Sequence, residues 1–140
     1  MTLAKPINKY IDYIDAPEDT FEQYVEKALK YNFRCVFANL QEYETGRAML
    51  EDSDIILAGA IDFPQGTMAL EEKLARFEEY AACGFTEIDY VLNQRSIENR
   101  DFDAIEREMT TIADFCRAHG ITDKVIVEMC KLDGDDAAKR

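Results

Sequence analysis

The chain has 140 residues, 47% hydrophobic and 32% charged, which suits one folded domain with a substantial core and excludes a disordered segment. Twenty-nine acidic against sixteen basic side chains leave a net charge of −13, a field that repels nucleic acid, anionic membrane surfaces and, outside a local site, phosphorylated substrates. No apolar run approaches the roughly 18 to 20 residues that span a bilayer, and Met1 to Tyr10 lacks a signal-peptide core, so a cytoplasmic protein is expected.

Short β-branched runs alternate with amphipathic helical stretches, without a linker, low-complexity tract or internal repeat. The first strand is predicted at about Tyr10 to Ile14. Asp19 or Thr20 then caps a helix whose Phe21, Tyr24, Val25, Ala28 and Leu29 form an apolar stripe, with Thr20 and Gln23 as a capping box. A second strand is predicted over Cys35 to Asn39, a short helix over Glu42 to Glu51, and a third strand over Ile55 to Ile61. After the loop Phe63-Pro64-Gln65-Gly66, a helix over Ala69 to Cys83 buries Leu70, Leu74, Phe77 and Ala81 and stops at Gly84. The fourth strand carries Asp89. Asp101 caps a long helix with Phe102, Ile105, Met109, Ile112 and Cys116 on its apolar side, ended by Gly120, and Lys124 to Met129 forms the fifth strand. Helices between successive strands imply a parallel α/β sheet.

Cys35, Cys83, Cys116 and Cys130 are scattered without a Cys-x-x-Cys pair, and with a single histidine the chain has too few soft ligands for zinc. They read as free, buried or half-buried thiols, and no metal or cofactor is expected. His119, beside Gly120 at a helix end, suits the helix dipole. Glu71, Glu72, Glu78 and Glu79 read as a solvated face, and Tyr13, Tyr24, Tyr43, Tyr80 and Tyr90 as packing residues. Asp133-Gly134-Asp135-Asp136 is a loop into a further helix, since a calcium loop spreads its ligands over about twelve residues.

Glu87-Ile88-Asp89-Tyr90-Val91-Leu92-Asn93 sets a carboxylate in the middle of an apolar strand, where an unpaired charge costs several kcal/mol and is usually kept for chemistry. Parallel α/β sheets place their chemistry at the carboxyl ends of the strands. The polar residues there are Asp12 and Asp15, Asn39, Asp62, Asp89 with Asn93, and Lys124 with Glu128. By strand alternation Asp89 and Asn93 share one face, as do Lys124 and Glu128. If those faces meet one interior, a lysine and carboxylates converge in a dry space, either as a reactive cluster or as a packed salt-bridge layer.

These residues resemble the class I deoxyribose-phosphate aldolases. Phe63-Pro64-Gln65-Gly66 is similar to that family's Phe-Pro-x-Gly loop, and Glu87-Ile88-Asp89-Tyr90-Val91-Leu92-Asn93 to its Glu-Ile-Asp-Met-Val-Ile-Asn strand. Asp101-Phe102-Asp103-Ala104-Ile105-Glu106 resembles the helix start that follows, and Lys124-Val125-Ile126-Val127-Glu128-Met129-Cys130 the Lys-Val-Ile-Ile-Glu-Thr strand. The resemblance implies the N-terminal portion of a (β/α)₈ TIM barrel, about five strands and four helices without the last three strands. It implies retro-aldol cleavage of 2-deoxyribose 5-phosphate to acetaldehyde and glyceraldehyde 3-phosphate through a lysine Schiff base. In its terms Asp89 takes part in proton transfer, Lys124 lies beside the reaction centre and Asp12 supports the site. The Schiff-base lysine belongs to the sixth strand, past the sequence read here, so these 140 residues are expected to be inactive alone and to bind a phosphorylated sugar only when completed.

The chain departs from the family where Tyr13-Ile14-Asp15-Ala16-Pro17 stands for His-Thr-Leu-Leu-Lys-Pro, where Ala38-Asn39-Leu40 replaces a proline-ended turn, and where Asp62 replaces a glycine before Phe63. Two open barrel edges, one of them rich in Val and Ile, predict self-association into a homodimer or larger assembly. The alternative of another class is a receiver-like signalling module: an open five-stranded sheet with Asp12, Asp15 and Lys131 around Asp62 as phosphoacceptor.

Overall fold

The computed structural model describes residues 3–128. Five strands form one wholly parallel sheet in the order β1-β2-β3-β4-β5: β1 (Asp12–Tyr13), β2 (Cys35–Phe37), β3 (Ile56–Ile61), β4 (Glu87–Val91) and β5 (Thr122–Ile126). The helices are α1 (Phe21–Tyr31), α2 (Tyr43–Met49), α3 (Leu70–Cys83), α4 (Gln94–Glu98) and α5 (Phe102–His119), and a 3₁₀ turn over Ile7–Tyr10 leads into β1. Each strand pairs with the next in sequence, so the sheet is a strip of consecutive βα units that curls as half a barrel.

That order removes the receiver reading, because a doubly wound sheet of five strands places β1 between β2 and β3. Here β2 lies between β1 and β3. Asp62 is also buried and ion-paired to Lys73, not presented to a phosphodonor. Lys131, Cys130, the end of the predicted fifth strand at Met129 and the Asp133–Asp136 loop lie outside the described residues.

Local signals account for most boundaries. Thr20 and Gln23 form the reciprocal capping box at the start of α1, and Asp101 accepts a hydrogen bond from the Ala104 amide at the start of α5. Gly84 and Gly120 end α3 and α5 in the left-handed conformation. The first strand is much shorter than the predicted Tyr10 to Ile14, because the 3₁₀ turn consumes Tyr10. The stretch after β4, read as a plain turn, contains α4, capped by the Asn93 side chain on the Ser96 amide.

The core has two parts on the helix side of the sheet. Tyr24, Val25 and Ala28 of α1 pack with Val36 and Leu50 beneath the first two strands, while Phe77, Ile88, Tyr90, Ile112 and Cys116 pack between the later strands and α3 and α5. Tyr80 lies against the bare backbone of Gly59, where a Cβ would fall 2.3 Å from its ring, which is how α3 approaches β3 so closely. Three predicted core positions are at the surface instead, Leu29 on α1 and Phe102 and Met109 on α5. Charged Glu108 and Lys73 are buried in the helix–sheet layer in their stead.

Candidate active site

The curl brings one face of β1, β4 and β5 together, and the polar side chains on that face converge on Lys124. Its Nζ lies 2.6 Å from Asp12 Oδ2, 2.9 Å from Glu87 Oε1 and 3.0 Å from Asp89 Oδ1. Strand register explains the meeting, since Asp89 pairs directly with Lys124 and Glu87 is two residues earlier on the same side of β4. Arg34, immediately before β2, closes the cluster: its Nε donates to Asp12 Oδ1 at 2.5 Å, and Nη1 and Nη2 donate to Glu87 at 3.1 and 2.6 Å. The cluster therefore holds Asp12, Glu87 and Asp89 against the two cations Arg34 and Lys124, a net charge of −1 in a partly dry space.

The three carboxylates are not equivalent. Burial pushes Asp12 and Glu87 up, but hydrogen bonds from Arg34 and Lys124 outweigh it and hold both below their ordinary values of 3.8 and 4.5. Asp89 moves the other way: burial outweighs the attraction of Lys124, and the nearby negative charges of Glu87 and Asp12 add to the rise. Its Oδ1 is buried and accepts no well-aligned hydrogen bond, although Lys124 sits at ion-pair distance. Lys124 is held above its ordinary 10.5, because although its burial acts the other way, the surrounding carboxylates of Asp12, Glu87 and Asp89 outweigh it. An amine locked in its charged form is not a nucleophile. Cys35, the register partner of Asp12, is equally quiet, its thiol pushed up to about 12 by burial and by the charges of Glu87 and Asp12.

These opposed shifts set the acid stability. Asp12 and Glu87 stabilise the fold fully above their ordinary values, and that contribution is lost as pH falls through their lowered folded values. Asp89, raised by folding, favours the fold when protonated and loses that contribution as pH climbs through its raised value. The urea midpoint should therefore drop steeply from about pH 5 to about pH 2, and an Asp12→Asn, Glu87→Gln double variant should flatten that limb. An unchanged slope in the double variant would assign the acid sensitivity elsewhere.

The structure thus brings together Asp12, Asp89 and Lys124 and leaves other sequence candidates apart. Asn93 spends its side chain capping α4 and reaching the Met68 carbonyl. Asn39 accepts the Gln41 and Glu42 amides in a turn. Asp15 and Asn39 instead line an open cleft of about 410 Å³ above the first three strands, with Phe37, Ala60 and Phe63. Asp62 belongs to a second cluster behind the sheet, where Lys73 Nζ lies 3.2 Å from Asp62 Oδ2, donates to the Val91 carbonyl at 2.7 Å and forms a short ion pair with Glu108.

Asp62 has φ +58, a conformation that favours glycine, and Asp tolerates it better than most residues. Its carboxylate earns the position by accepting the amides of Thr67 and Met68 at 2.9 and 3.0 Å, which fixes the loop carrying the cis Phe63–Pro64 bond. Gly66, at φ +64, ties that loop to the end of β4: its carbonyl accepts the Gln94 amide at 2.9 Å and a Cβ would meet Val91 at 2.7 Å.

Curated relatives match most of this chain. A deoxyribose-phosphate aldolase from Lactobacillus acidophilus is 32% identical over 127 residues, 91% of this chain and 54% of the relative, and one from Clostridium perfringens is 29% identical over 137 residues, 98% of this chain and 61% of the relative. The chain is a relative of the deoxyribose-phosphate aldolases. It fits their N-terminal portion and spans little more than half the length of the curated relatives it matches. No family model matches it. Among solved structures, the deoxyribose phosphate aldolase of Aeropyrum pernix, described as a unique tetramer, superposes with a TM-score of 0.68 at 28% identity over 87% of this chain and 51% of that one. The aldolase QR15 superposes with a TM-score of 0.74 at 24% identity, over 91% of this chain and 57% of its own, which supports the fold. The half-barrel of five parallel strands is thus similar to part of the deoxyribose-phosphate aldolase barrel.

Proposed function

We propose that this chain carries the proton-transfer side of a deoxyribose-phosphate aldolase site. The observation that carries the reading is the convergence of Lys124 on Asp12 and Asp89, with Asp89 alone among the carboxylates favouring its proton. In the retro-aldol reaction a lysine amine adds to the substrate carbonyl and water leaves, giving an iminium. The hydroxyl beside the scissile bond then loses its proton as the C–C bond breaks, its electrons pass into the iminium as an enamine, and the new carbon nucleophile is protonated. Asp89 is suited to pass those protons, because burial makes it a stronger base than an ordinary Asp while Lys124 stands beside it. Lys124 is the fixed cation that keeps Asp12 and Glu87 ionised around it.

The resemblance to the aldolases implies a nucleophile on a sixth strand and phosphate loops on the last strands, neither among these 140 residues. These 140 residues tested by themselves should then not cleave 2-deoxyribose 5-phosphate, and β1 and β5, the edge strands among the described residues, are suited to self-association or to pairing with complementary strands. Supplying strands six to eight of a related aldolase in trans tests this. Borohydride should trap a substrate adduct on the added segment, with glyceraldehyde 3-phosphate released. A complex that assembles yet gives neither adduct nor cleavage sinks the reading.

A further inference from the structure

We infer that Arg34 is a positioning residue that sets the protonation of Asp89 by neutralising the two carboxylates that share Lys124 with it. Arg34 stands just outside β2 and does not touch Asp89; it spends three guanidinium N–H groups on Asp12 and Glu87 at 2.5 to 3.1 Å. Those same carboxylates take the shortest contacts of Lys124, 2.6 Å to Asp12 and 2.9 Å to Glu87. Asp89 holds the longest contact, 3.0 Å, and its Oδ1 lacks an aligned donor. Lys124 is thus divided among three carboxylates, and Asp89 receives what Asp12 and Glu87 leave.

Removing the Arg34 charge changes that division in one direction. The cluster passes from three anions and two cations to three anions and one, a net charge of −2. Asp12 and Glu87 then draw Lys124 more fully, and their unbalanced charge presses on Asp89 across a partly buried space where screening is weak. The groups that face Asp89 are Lys124 on β5, Glu87 on its own strand and Asp12 on β1. Among the described residues, Arg34 is the cation that balances the last two without competing for Asp89. A guanidinium suits this task better than an ammonium, since its planar fork grips Glu87 with two donors and still offers Nε to Asp12.

The inference deepens the aldolase reading, because a proton shuttle works only near its own midpoint. Its test needs no turnover. In the 140-residue chain labelled with ¹³C at carboxyl carbons, the Asp89 resonance, assigned by its loss in Asp89→Asn, is followed through a pH titration of wild type, Arg34→Gln and Arg34→Lys. Arg34→Gln should move the Asp89 midpoint up by about one pH unit, about tenfold in proton affinity, and Arg34→Lys by clearly less. A folded Arg34→Gln chain with an unmoved or lowered midpoint overturns the inference, as does a Lys variant that shifts as far as Gln. Should Arg34→Gln not fold, Glu87→Gln answers the same question: its midpoint must fall, and an unmoved one overturns the coupling. None of these outcomes depends on aldol cleavage, so the inference and the aldolase reading fail separately.

Discussion

Lys73→Met should cost about 3–5 kcal/mol of folding stability, read as a fall in the urea midpoint. Lys73 is fully buried, and its ammonium lies among Asp62, Glu108 and the Val91 carbonyl, over the face of Tyr90 at 5.8 Å. Methionine fills much of the same volume and restores none of the charge, so two carboxylates stay in the helix–sheet layer without their cation. Losing one partner of a buried cluster costs far more than the cluster contributes net, because the penalty is that of the stranded charges. Hence the control: Asp62→Gly, Lys73→Met, Glu108→Met together should recover part of the loss, the remainder being the Thr67, Met68 and Asn93 amides left without their acceptors, with glycine suiting φ +58. A single variant that loses less than about 1 kcal/mol would show that water reaches the site.

The same cluster shows where the sequence was legible and where it was not. Helix periodicity places Phe77, Ile112 and Cys116 in the core correctly, because apolar side chains at helical spacing have one favourable destination. Lys73 and Glu108 occupy the same stripes, four residues before Phe77 and before Ile112, and their charge makes them read as surface. A lysine and a glutamate on core positions of two neighbouring helices are, in retrospect, a pairing signal. The Asp62 substitution has a similar explanation: glycine fits a left-handed position by lacking a side chain, and Asp fits it by binding the loop amides and Lys73.

In the site, Glu87 was within reach of the sequence, since strand alternation sets it beside Asp89. Arg34 was not. It precedes β2 by one residue, belongs to no periodic pattern, and reaches Glu87 53 residues away only because β2 through β4 curl toward one another. The short β1 is a case of competition, in which the 3₁₀ turn over Ile7–Tyr10 takes backbone that strand propensity assigns to the sheet.

In the completed barrel, Asp89→Asn should lower the rate of cleavage by about 10²–10⁴-fold while leaving the borohydride-trapped adduct in place. The substitution keeps the shape of the side chain and an oxygen facing Lys124, and it removes the only group of the cluster that favours its proton. Adduct formation depends on an amine elsewhere, so trapping persists if Asp89 acts in the later proton transfers. Stability offers an independent check with the opposite sign. Because burial disfavours the Asp89 charge, replacing it with a neutral amide balances two anions against two cations and should hold or raise the urea midpoint at neutral pH. Loss of activity with unchanged or greater stability is the pattern of a residue kept for chemistry at the expense of the fold. Activity within about tenfold of the parent would move the proton transfer to another group and leave Asp89 as a member of the polar layer.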